Sequence, residues 1–562
     1  MKIKTLRQRY EYENVRDLIE DVAKKYGEKT AFSYRIKPSD KDKVCKNYIT
    51  LRDDVRALST EMIARGLAGK HLCLIGKLSY EWIVTYYSAL TTGSVLVPLD
   101  RDWEAAELAD TVKKADAAWI FAEADIAEKA REVATLTGNE APTIICAEGE
   151  GTLSEWLAAG KAKIEGGDNS YFETKIDRDI LALLVFTSGT TGKGKGVMLS
   201  QKNILSDIAD VLPFIDFTDK SVGVLPPHHT YGSSVTVLGQ TTIGCEVYIS
   251  SGIRYVAKEL KLESPGHLVL VPLYLETFYR KIMAGIKDKG KEKTVKRMMG
   301  LCNFFHLGKK IRKKLFGSIL ESFGGNVKLI ISGGAPIAQD MMDFFSGLGI
   351  DVLNGYGITE CAPIIAVNHN NYIVKGSVGP VLPIDDVQIV DPNEDGEGEI
   401  IVKGDNVMLG YYNDEEATRE AFTDDGYFKT GDYGKLGKNN VLFITGRKKN
   451  LIILSNGKNV YPEEIESELI AIPGVIDAIV YEGQSKRGLS YNAIVAEIYP
   501  DKEYIEKNGI EDIKKHLQGY IDNYNRTATP YKKVGILKVR DEEFPKNTLR
   551  KIQRFKLDMS ID

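Results

Sequence analysis

Helical and strand-like patterns of apolar residues alternate along the first two-thirds of the chain. Residues 48–67 carry apolar side chains at the three- and four-residue spacing of an amphipathic helix, and residues 71–76 follow as a strand. Residues 79–93 predict a second helix that ends in glycine, and residues 94–100 predict a second strand. Helices that alternate with strands in this way predict parallel sheets covered by helices, so we expect an α/β fold.

An unbroken aliphatic run at residues 180–186 predicts a central parallel strand that is buried on both faces. A loop rich in glycine and hydroxyl side chains begins where this strand ends. In open α/β sheets, ligands bind beyond the carboxyl ends of the strands. The loop is therefore a candidate binding site.

The pattern changes in the last third of the chain. Short strands joined by acidic, glycine-containing turns predict a small β-rich subdomain over residues 375–446. Beyond it, a helix is expected to start at Pro462 with acidic residues in its first turn, and two strands and another helix follow. We therefore predict a large N-terminal domain, residues 1–446, and a C-terminal α+β domain, residues 447–562.

Length and composition restrict the class of protein. The 562 residues exceed one ordinary domain, and 43% apolar with 27% charged residues is typical of globular proteins. The net charge of −5 gives no electrostatic basis for nucleic-acid binding, and the six cysteines are scattered singly. The N-terminus has no signal-like apolar segment, and no apolar run is long enough to span a bilayer. These features predict a cytoplasmic protein without a nucleic-acid partner.

Residues 187–196 have the composition of a phosphate-binding loop. Glycine lets the backbone approach an anion, and successive N–H groups then form a concave cradle to which hydroxyl and lysine side chains add donors and charge. The candidate phosphate ligands are Thr187, Ser188, Gly189, Thr190, Thr191, Gly192 and Lys195. The spacing matches the first part of a Walker A loop, but Gly196 stands where that loop needs Ser or Thr to hold magnesium. A glycine turn without a ligand is the alternative for this segment taken alone.

Seven segments, in order along the chain, resemble motifs of the adenylate-forming superfamily. They are TSGTTGKGKGV (187–197), SGGAP (332–336), NGYGITE (354–360), GEI (398–400), YFKTGDYG (427–434), GRKKNLIILSNGKNVYPEEIE (446–466) and PKNTLRKIQR (545–554). This superfamily includes acyl- and aryl-CoA synthetases, luciferases and the adenylation domains of peptide synthetases. The resemblance implies their architecture, in which a small, mobile α+β C-terminal domain covers a large N-terminal domain.

The reaction that this resemblance implies has two halves and uses ATP, Mg²⁺ and CoA. A carboxylate attacks the α-phosphate of ATP and pyrophosphate leaves, which gives an acyl-adenylate. A thiol then attacks the activated carbonyl and AMP leaves. Because the first half brings two anions together, the site must supply positive charge and hydrogen-bond donors. The glycine loop would hold the departing β- and γ-phosphates.

The resemblance also implies a nucleotide site. Tyr356 would stack on adenine, Thr359 would contact phosphate, and Glu360 would bind Mg²⁺, a hard cation that prefers oxygen ligands. Asp432 would accept hydrogen bonds from both ribose hydroxyls, and Arg447 would also bind the ribose. The other nucleotide-binding residues would be Gly333, Gly334, Ala335, Pro336, Asn354, Gly355 and Gly357. Without the resemblance, these segments would read as ordinary turns and Arg447 as a solvated arginine.

Three further residues receive catalytic or hinge roles from the resemblance. Lys551 would reach the carboxylate and the α-phosphate together, as a point charge on a long stem, although Arg550 stands where the family usually has glycine. Lys449 lies at the family's hinge position, about which the C-terminal domain would swing between the half-reactions. His229 would line the acyl pocket; in an extended segment, His228 would point to the opposite side. The alternatives are surface lysines and a structural histidine.

The motifs indicate the identity of the acid substrate less directly than they indicate the reaction. Segments such as KGDNVMLGYYND (403–414) look most like the long-chain fatty acyl-CoA synthetase branch, so a fatty acid–CoA ligase is the leading interpretation. The basic helical segment 281–325 is a candidate for peripheral contact with an anionic membrane, or else a solvated helix face. An aryl acid, a carrier-protein thiol in place of CoA, an inactive nucleotide sensor and a P-loop NTPase are the alternatives.

Overall fold

The structure, a computed structural model, describes residues 4–187, 194–454, 458–484, 490–546 and 551–561. Its strands are β1 (Thr30–Tyr34), β2 (Val44–Asn47), β3 (His71–Ile75), β4 (Val95–Leu99), β5 (Trp119–Glu123), β6 (Thr143–Ile145), β7 (Leu181–Thr187), β8 (Lys195–Ser200), β9 (Lys220–Gly223), β10 (Glu246–Ile249), β11 (His267–Leu270), β12 (Leu329–Ser332), β13 (Asp351–Gly357), β14 (Ile364–Val367), β15 (Gly379–Pro380), β16 (Asp385–Val390), β17 (Gly398–Gly404), β18 (Gly410–Tyr411), β19 (Phe428–Leu436), β20 (Val441–Arg447), β21 (Ile452–Ile453), β22 (Asn459–Val460), β23 (Val475–Gln484), β24 (Ser490–Pro500) and β25 (Val534–Val539).

Its α-helices are α1 (Val15–Tyr26), α2 (Tyr48–Ala64), α3 (Tyr80–Thr91), α4 (Ala105–Lys114), α5 (Ala127–Thr137), α6 (Leu153–Glu165), α7 (Ser170–Glu173), α8 (Gln201–Val211), α9 (Gln240–Thr242), α10 (Val256–Glu263), α11 (Pro272–Asp288), α12 (Glu292–Phe304), α13 (Lys309–Leu315), α14 (Gly317–Leu320), α15 (Gln339–Leu348), α16 (Glu415–Ala421), α17 (Pro462–Ile470), α18 (Lys502–Lys507) and α19 (Ile513–Thr527). Helices and strands alternate through the first two-thirds of the chain, which confirms the predicted α/β fold.

The first of the two large sheets has seven strands in the order β18-β8-β7-β4-β3-β5-β6. Strands β3 to β7 of this sheet pair in parallel, but β7 and β8 are antiparallel. The prediction that residues 180–186 form a buried strand is therefore correct. The prediction that both neighbouring strands are parallel to it is wrong for β8. The reason is that β8 returns directly after β7, through a loop too short for the crossover that a parallel pair requires.

The second large sheet has eight strands in the order β14-β13-β12-β11-β9-β10-β1-β2. Its six inner strands are parallel, and β14 and β2 close its edges in the antiparallel direction. Helix α3 contributes Trp82, Tyr86 and Tyr87 to a core that also contains residues of both large sheets. A helix that is apolar on all sides is suited to this position. Neither α3 nor any other helix in the described part of the chain is long and apolar enough to cross a bilayer.

The last third of the chain forms two smaller sheets. Five antiparallel strands in the order β15-β20-β19-β17-β16 account for the predicted β-rich region. After β20, the sheet β23-β24-β25 is covered by α17 and α19, whose buried residues include Leu469 and Leu517. Helix α17 begins at Pro462 with Glu463 and Glu464 in its first turn, as predicted. The domain boundary between residues 446 and 447 stays a prediction, and so does the mobility of the C-terminal domain.

Helix α11, which belongs to the N-terminal region, contacts the C-terminal α+β sheet. The guanidinium of Arg280 donates a hydrogen bond of 2.8 Å to the carbonyl of Val475 and lies 4.0 Å from the carboxylate of Asp501. Burial raises the pKa of Glu276, one turn earlier on α11, where Lys546 and Asp477 are among its charged neighbours. These contacts hold the C-terminal sheet against α11 in this arrangement.

The close packing of α2 on α6 allows a test of the fold that does not depend on any activity of the protein. A Cβ atom at Gly160 in α6 would lie 1.9 Å from the carbonyl oxygen of Ala57 in α2, so the helices must separate to accept it. We expect Gly160→Ala to lower the free energy of unfolding by about 1–3 kcal/mol, the usual cost of overpacking. Urea denaturation followed by circular dichroism measures this change.

Gly285, on the exposed side of α11, is the matched control. A Cβ atom there would have no neighbour within 4 Å. Gly285→Ala should therefore leave the free energy of unfolding unchanged or raise it by up to about 1 kcal/mol, because alanine favours the helix. Equal denaturation midpoints for the two variants would contradict the packing of α6 on α2.

Candidate functional site

A buried carboxylate on the five-stranded sheet is the centre of the candidate site. Asp432 on β19 lies opposite Arg447 on β20, and the Nε atom of Arg447 is 3.4 Å from an Asp432 oxygen. Tyr356, at the end of β13, donates a hydrogen bond of 2.7 Å to the other carboxylate oxygen. Burial raises the pKa of Asp432, and Arg447 opposes this shift. Two neighbouring strands of the small sheet and the end of β13, which is distant from them in sequence, therefore meet at one acceptor.

Two lysines of the C-terminal region lie beside this carboxylate. Burial, together with the positive charge of Arg447, lowers the pKa of Lys551 to about 8, and Asp432 opposes the shift. The pKa of Lys449 is lowered to about 8 by burial and by Arg447 as well. The structure thus brings the predicted tail lysine and the predicted hinge lysine together with the predicted ribose ligands. Three cations therefore lie near Asp432, and Glu463 is a second carboxylate close to Lys449. A cluster of cations of this kind is suited to anionic ligands.

His229 also lies near Lys551. Burial lowers the pKa of His229, and His228 and Lys551 lower it further. The prediction that the two histidines point to opposite sides is wrong, because their segment forms a turn in which the ring centroids are 4.3 Å apart. Gly232 permits this turn, since a Cβ there would lie 2.2 Å from the carbonyl oxygen of Pro226. A π-helix, Tyr231–Gly239, follows directly.

Glu360, Tyr411 and Lys195 form a second part of the site. It lies in a short 3₁₀ turn after β13, and Tyr411 donates a hydrogen bond of 3.1 Å to it. The Nζ atom of Lys195 lies 4.5 Å from the centre of the Tyr411 ring. Sequence reasoning missed Tyr411, because only the pairing of β18 with β8 brings it into contact with both Glu360 and Lys195.

The environment of Glu360 fits the Mg²⁺ ion that the resemblance implies. Burial raises the pKa of its carboxyl group, and no basic side chain among the described residues forms an ion pair with it. A nearby cation would stabilise the charged form. Mg²⁺ in nucleotide sites commonly takes one or two carboxylates together with substrate phosphates and water, so a single glutamate suffices.

The remaining predicted nucleotide ligands cluster at the ends of β12 and β13. These strands are parallel neighbours with Ser332 opposite Asn354, so the segments that follow them leave the same edge of the sheet. The residues there are Gly333, Gly334, Ala335, Pro336, Asn354, Gly355, Gly357 and Thr359. Gly357 is required for close packing, since a Cβ would lie 1.9 Å from the carbonyl oxygen of Pro363. Thr187 ends β7, and the predicted ligands Ser188 to Gly192 lie outside the described residues.

A cavity of about 310 Å³ lies beside the turn that contains the two histidines. His228 lines it, and its Nε2 atom is 3.5 Å from a carboxylate oxygen of Asp100. Apolar walls alternate with the basic residues Lys77 and Arg101, which both pair with Glu123. The sequence did not indicate this cavity, because it forms between loops of both large sheets.

Residues 19–412 match the AMP-binding enzyme family, which covers well over half of the chain. The chain therefore belongs to that family. It is 29% identical to the long-chain-fatty-acid–CoA ligase FadD15 of Mycobacterium bovis, over 76% of this chain and 74% of that protein. It is 28% identical to the chloroplastic long-chain-fatty-acid–[acyl-carrier-protein] ligase AEE15 of Arabidopsis thaliana, over 91% of this chain and 79% of that protein.

A solved structure extends the likeness to nearly the whole chain. The crystal structure of ATP-bound MatB from Rhodopseudomonas palustris superimposes with a TM-score of 0.75 at 25% identity, covering 96% of this chain and 97% of that chain. The expected fold is thereby confirmed, including the C-terminal α+β sheet. Family membership and fold were both predicted from the motifs, whereas the roles of individual residues stay predictions.

The charge of Lys551 provides a direct test of the cluster. We expect its amine to titrate near pH 8, well below the usual value of about 10.4 for lysine, because burial and Arg447 disfavour the ammonium form. Nuclear magnetic resonance of ¹³C-dimethylated lysines, assigned with Lys551→Arg, measures this pKa. The same signal in urea-unfolded protein is the control.

Arg447→Gln should then raise the pKa of Lys551, since it removes one positive neighbour. A Lys551 that titrates at the unfolded value in the native protein would contradict its place beside Asp432 and Arg447.

Proposed function

We propose that the protein is an AMP-forming ligase that joins a fatty acid to CoA through an acyl-adenylate. The observation that carries this proposal is the position of Lys551, which reaches from the C-terminal region to Asp432 and Arg447 and lies near His229. A single ammonium group between a nucleotide subsite and a histidine-lined pocket is suited to two anions that must approach each other.

In the first half-reaction, the cluster would bind ATP and align the acid. Asp432 would accept hydrogen bonds from the ribose hydroxyls, in place of the hydrogen bond from Tyr356 and the ion pair with Arg447 in this structure. Lys551 would lie against the α-phosphate and the attacking carboxylate and would stabilise the charge that develops as pyrophosphate leaves. Lys195 and the glycine loop would hold the departing phosphates.

Glu360 would hold the magnesium ion, with Tyr411 fixing the orientation of the carboxylate. When bound, Mg²⁺ supplies positive charge that neutralises the phosphate oxygens. The pKa of Glu360 is raised by burial, so the carboxylate gains most from a cation at this position.

The second half-reaction would require the C-terminal domain to move. Lys551 would lie against the reacting carboxyl group during adenylation, so the domain of residues 447–562 would swing away from the N-terminal domain of residues 1–446 before the thiol attacks. Lys449, in the short 3₁₀ turn Lys448–Asn450 after β20, would be the pivot. The β-rich subdomain, residues 375–446, would stay with the N-terminal domain because β20 ends at this turn.

The cavity beside His228 would receive the thiol substrate. Its apolar walls suit the pantetheine arm of CoA, and Lys77 and Arg101 suit the phosphates of the nucleotide portion. A carrier protein presents the same arm without that nucleotide. The basic pair is therefore the feature that favours CoA.

The fatty acid is supported by relatives rather than by the shape of a pocket. Both relatives described above carry names that specify long-chain fatty acids, and they differ in the acceptor thiol, CoA in one and a carrier protein in the other. An aryl acid is the enzymatic alternative, and an inactive nucleotide sensor is the alternative from another class. A panel of aliphatic and aryl acids in an ATP–pyrophosphate exchange assay distinguishes them.

We expect aliphatic acids to stimulate exchange and the products of the complete reaction to be AMP and pyrophosphate. Lys551→Ala should lower acid-dependent exchange by about 100-fold or more, because it removes the charge that neutralises two anions. It should leave the reaction of CoA with supplied acyl-adenylate largely intact, because the lysine would be outside the cleft in that step.

Lys556→Ala, an exposed lysine of the same tail, is the matched control and should leave both half-reactions unchanged. Equal loss of both half-reactions in Lys551→Ala would contradict the movement of the C-terminal domain. Exchange with benzoates alone would exclude the fatty acid, no exchange with any acid would favour the sensor, and ADP as product would favour a P-loop NTPase.

Lys77→Ala tests the assignment of the cavity. We expect the KM for CoA to rise about tenfold, the value of one charge-assisted hydrogen bond, with no change in exchange measured without CoA. Arg101 still pairs with Glu123 in this variant, so the fold should be kept. Pantetheine, which lacks the nucleotide phosphates, should react equally with both proteins. Lys70→Ala, at the opposite end of β3, is the control; an equal rise in its KM would contradict the assignment.

A further inference from the structure

Helices α12 and α13 expose an apolar face that is not part of the cleft. Phe304 is 77% exposed and Phe305 62% exposed, and Leu301, Ile311 and Leu315 are exposed as well. Among the described residues, five of the seventeen large apolar side chains that are exposed therefore lie within one segment. Isolated exposed apolar residues are ordinary in globular proteins, whereas a cluster of them marks an interaction surface.

The helical spacing arranges these residues as faces. Ile311 and Leu315 are four residues apart in α13, so they share one side of that helix, and Leu301 and Phe304 are three residues apart in the last turn of α12. Phe305 directly follows α12. The other side of α12 packs into the core, where Cys302 is buried. The apolar face is thus the outward side of a helix that is anchored from behind. We refer to residues 301–315 as the α12–α13 corner.

The corner is braced internally. The guanidinium of Arg312 donates hydrogen bonds of 2.8 Å to the carbonyl of Leu307, 2.8 Å to the side chain of Asn303 and 2.9 Å to the carbonyl of Cys302. These bonds satisfy groups at the end of α12 and fix the turn that carries the two phenylalanines. Their rings are 5.1 Å apart in an edge-to-face arrangement. The aromatic pair is therefore presented in a defined position.

The charge of the segment is one-sided. Residues 293–315 contain eight lysines and arginines and no acidic residue, in a chain whose net charge is −5. In the part of the chain that the structure describes, Lys296, Arg297, Lys310 and Lys314 form no ion pair. Their charge is available to an external anionic surface.

We propose that the α12–α13 corner docks the protein on an anionic lipid bilayer. Phe304 and Phe305 insert among the headgroups, and the lysines that flank them contact lipid phosphates. Exposed aromatic and aliphatic side chains combined with unpaired cations match the two forces that hold peripheral helices at a membrane. Long lysine stems cover apolar surface while their ammonium groups reach the phosphates. This binding does not depend on the identity of the acid substrate.

The test uses the full chain and sedimentation with sucrose-loaded vesicles. The vesicles consist of phosphatidylcholine alone or of equal parts phosphatidylcholine and phosphatidylglycerol. We expect binding to the anionic vesicles at least about tenfold stronger, because each lysine near such a surface contributes measurably to affinity. Phe304→Ala combined with Phe305→Ala should weaken it about tenfold or more, since two aromatic side chains no longer insert.

Ile36→Ala is the matched control, since Ile36 is 76% exposed at a distant site and should not affect binding. Lys310→Glu combined with Lys314→Glu should abolish the preference for phosphatidylglycerol. Phe304→Trp should show blue-shifted emission on anionic vesicles and quenching by brominated acyl chains.

Unchanged vesicle binding in the double phenylalanine variant would overturn the proposal. So would tryptophan emission that stays unshifted when the Phe304→Trp variant is mixed with anionic vesicles. Dimerisation of the wild type that the double phenylalanine variant abolishes, seen by analytical ultracentrifugation without vesicles, would instead make this face a contact between two copies of the chain. Circular dichroism of each variant shows whether its fold is intact.

Discussion

The contact of Asp432 with Arg447 is the interaction on which the candidate site depends. Burial raises the pKa of this carboxyl group, whereas a cation on the neighbouring strand and the hydroxyl of Tyr356 lower it and contact its oxygens. The same carboxylate moderates the repulsion among Arg447, Lys449 and Lys551. In the proposed function, the cations of this cluster would receive an anionic nucleotide and an anionic acid.

The composition of the candidate site also depends on the position of the C-terminal region, which supplies Lys551. Lys551 lies in the cluster in an arrangement in which the C-terminal sheet packs against α11, where Arg280 contacts Val475 and Asp501. Contacts of this kind at a partly exposed interface are individually weak. A bound nucleotide would add interactions with Lys551 in one orientation and lose them in another. If the C-terminal domain moves as proposed, the binding of successive substrates would bias its position by their different contacts in each orientation.

Much of the fold could be predicted because its elements are locally determined. Residues 48–67 and 79–93 form α2 and α3, and α17 starts at the proline that the sequence indicated. The direction of the strand beside β7 could not be predicted, because burial on both faces looks the same for parallel and antiparallel neighbours. The turn at His228 and His229 was also misjudged, since it depends on the close approach of Gly232 to Pro226.

The sequence by itself determined the family, the order of the motifs and the residue types that the site contains, since these depend on spacing along the chain. Only the tertiary structure decided which of them meet: Tyr356 with Asp432, Tyr411 with Glu360, and Lys551 with Asp432, Arg447 and His229. It also decided that the basic segment presents an aromatic pair. The physical reason is that burial, charge compensation and exposure arise from contacts between distant segments, and local periodicity carries no record of them.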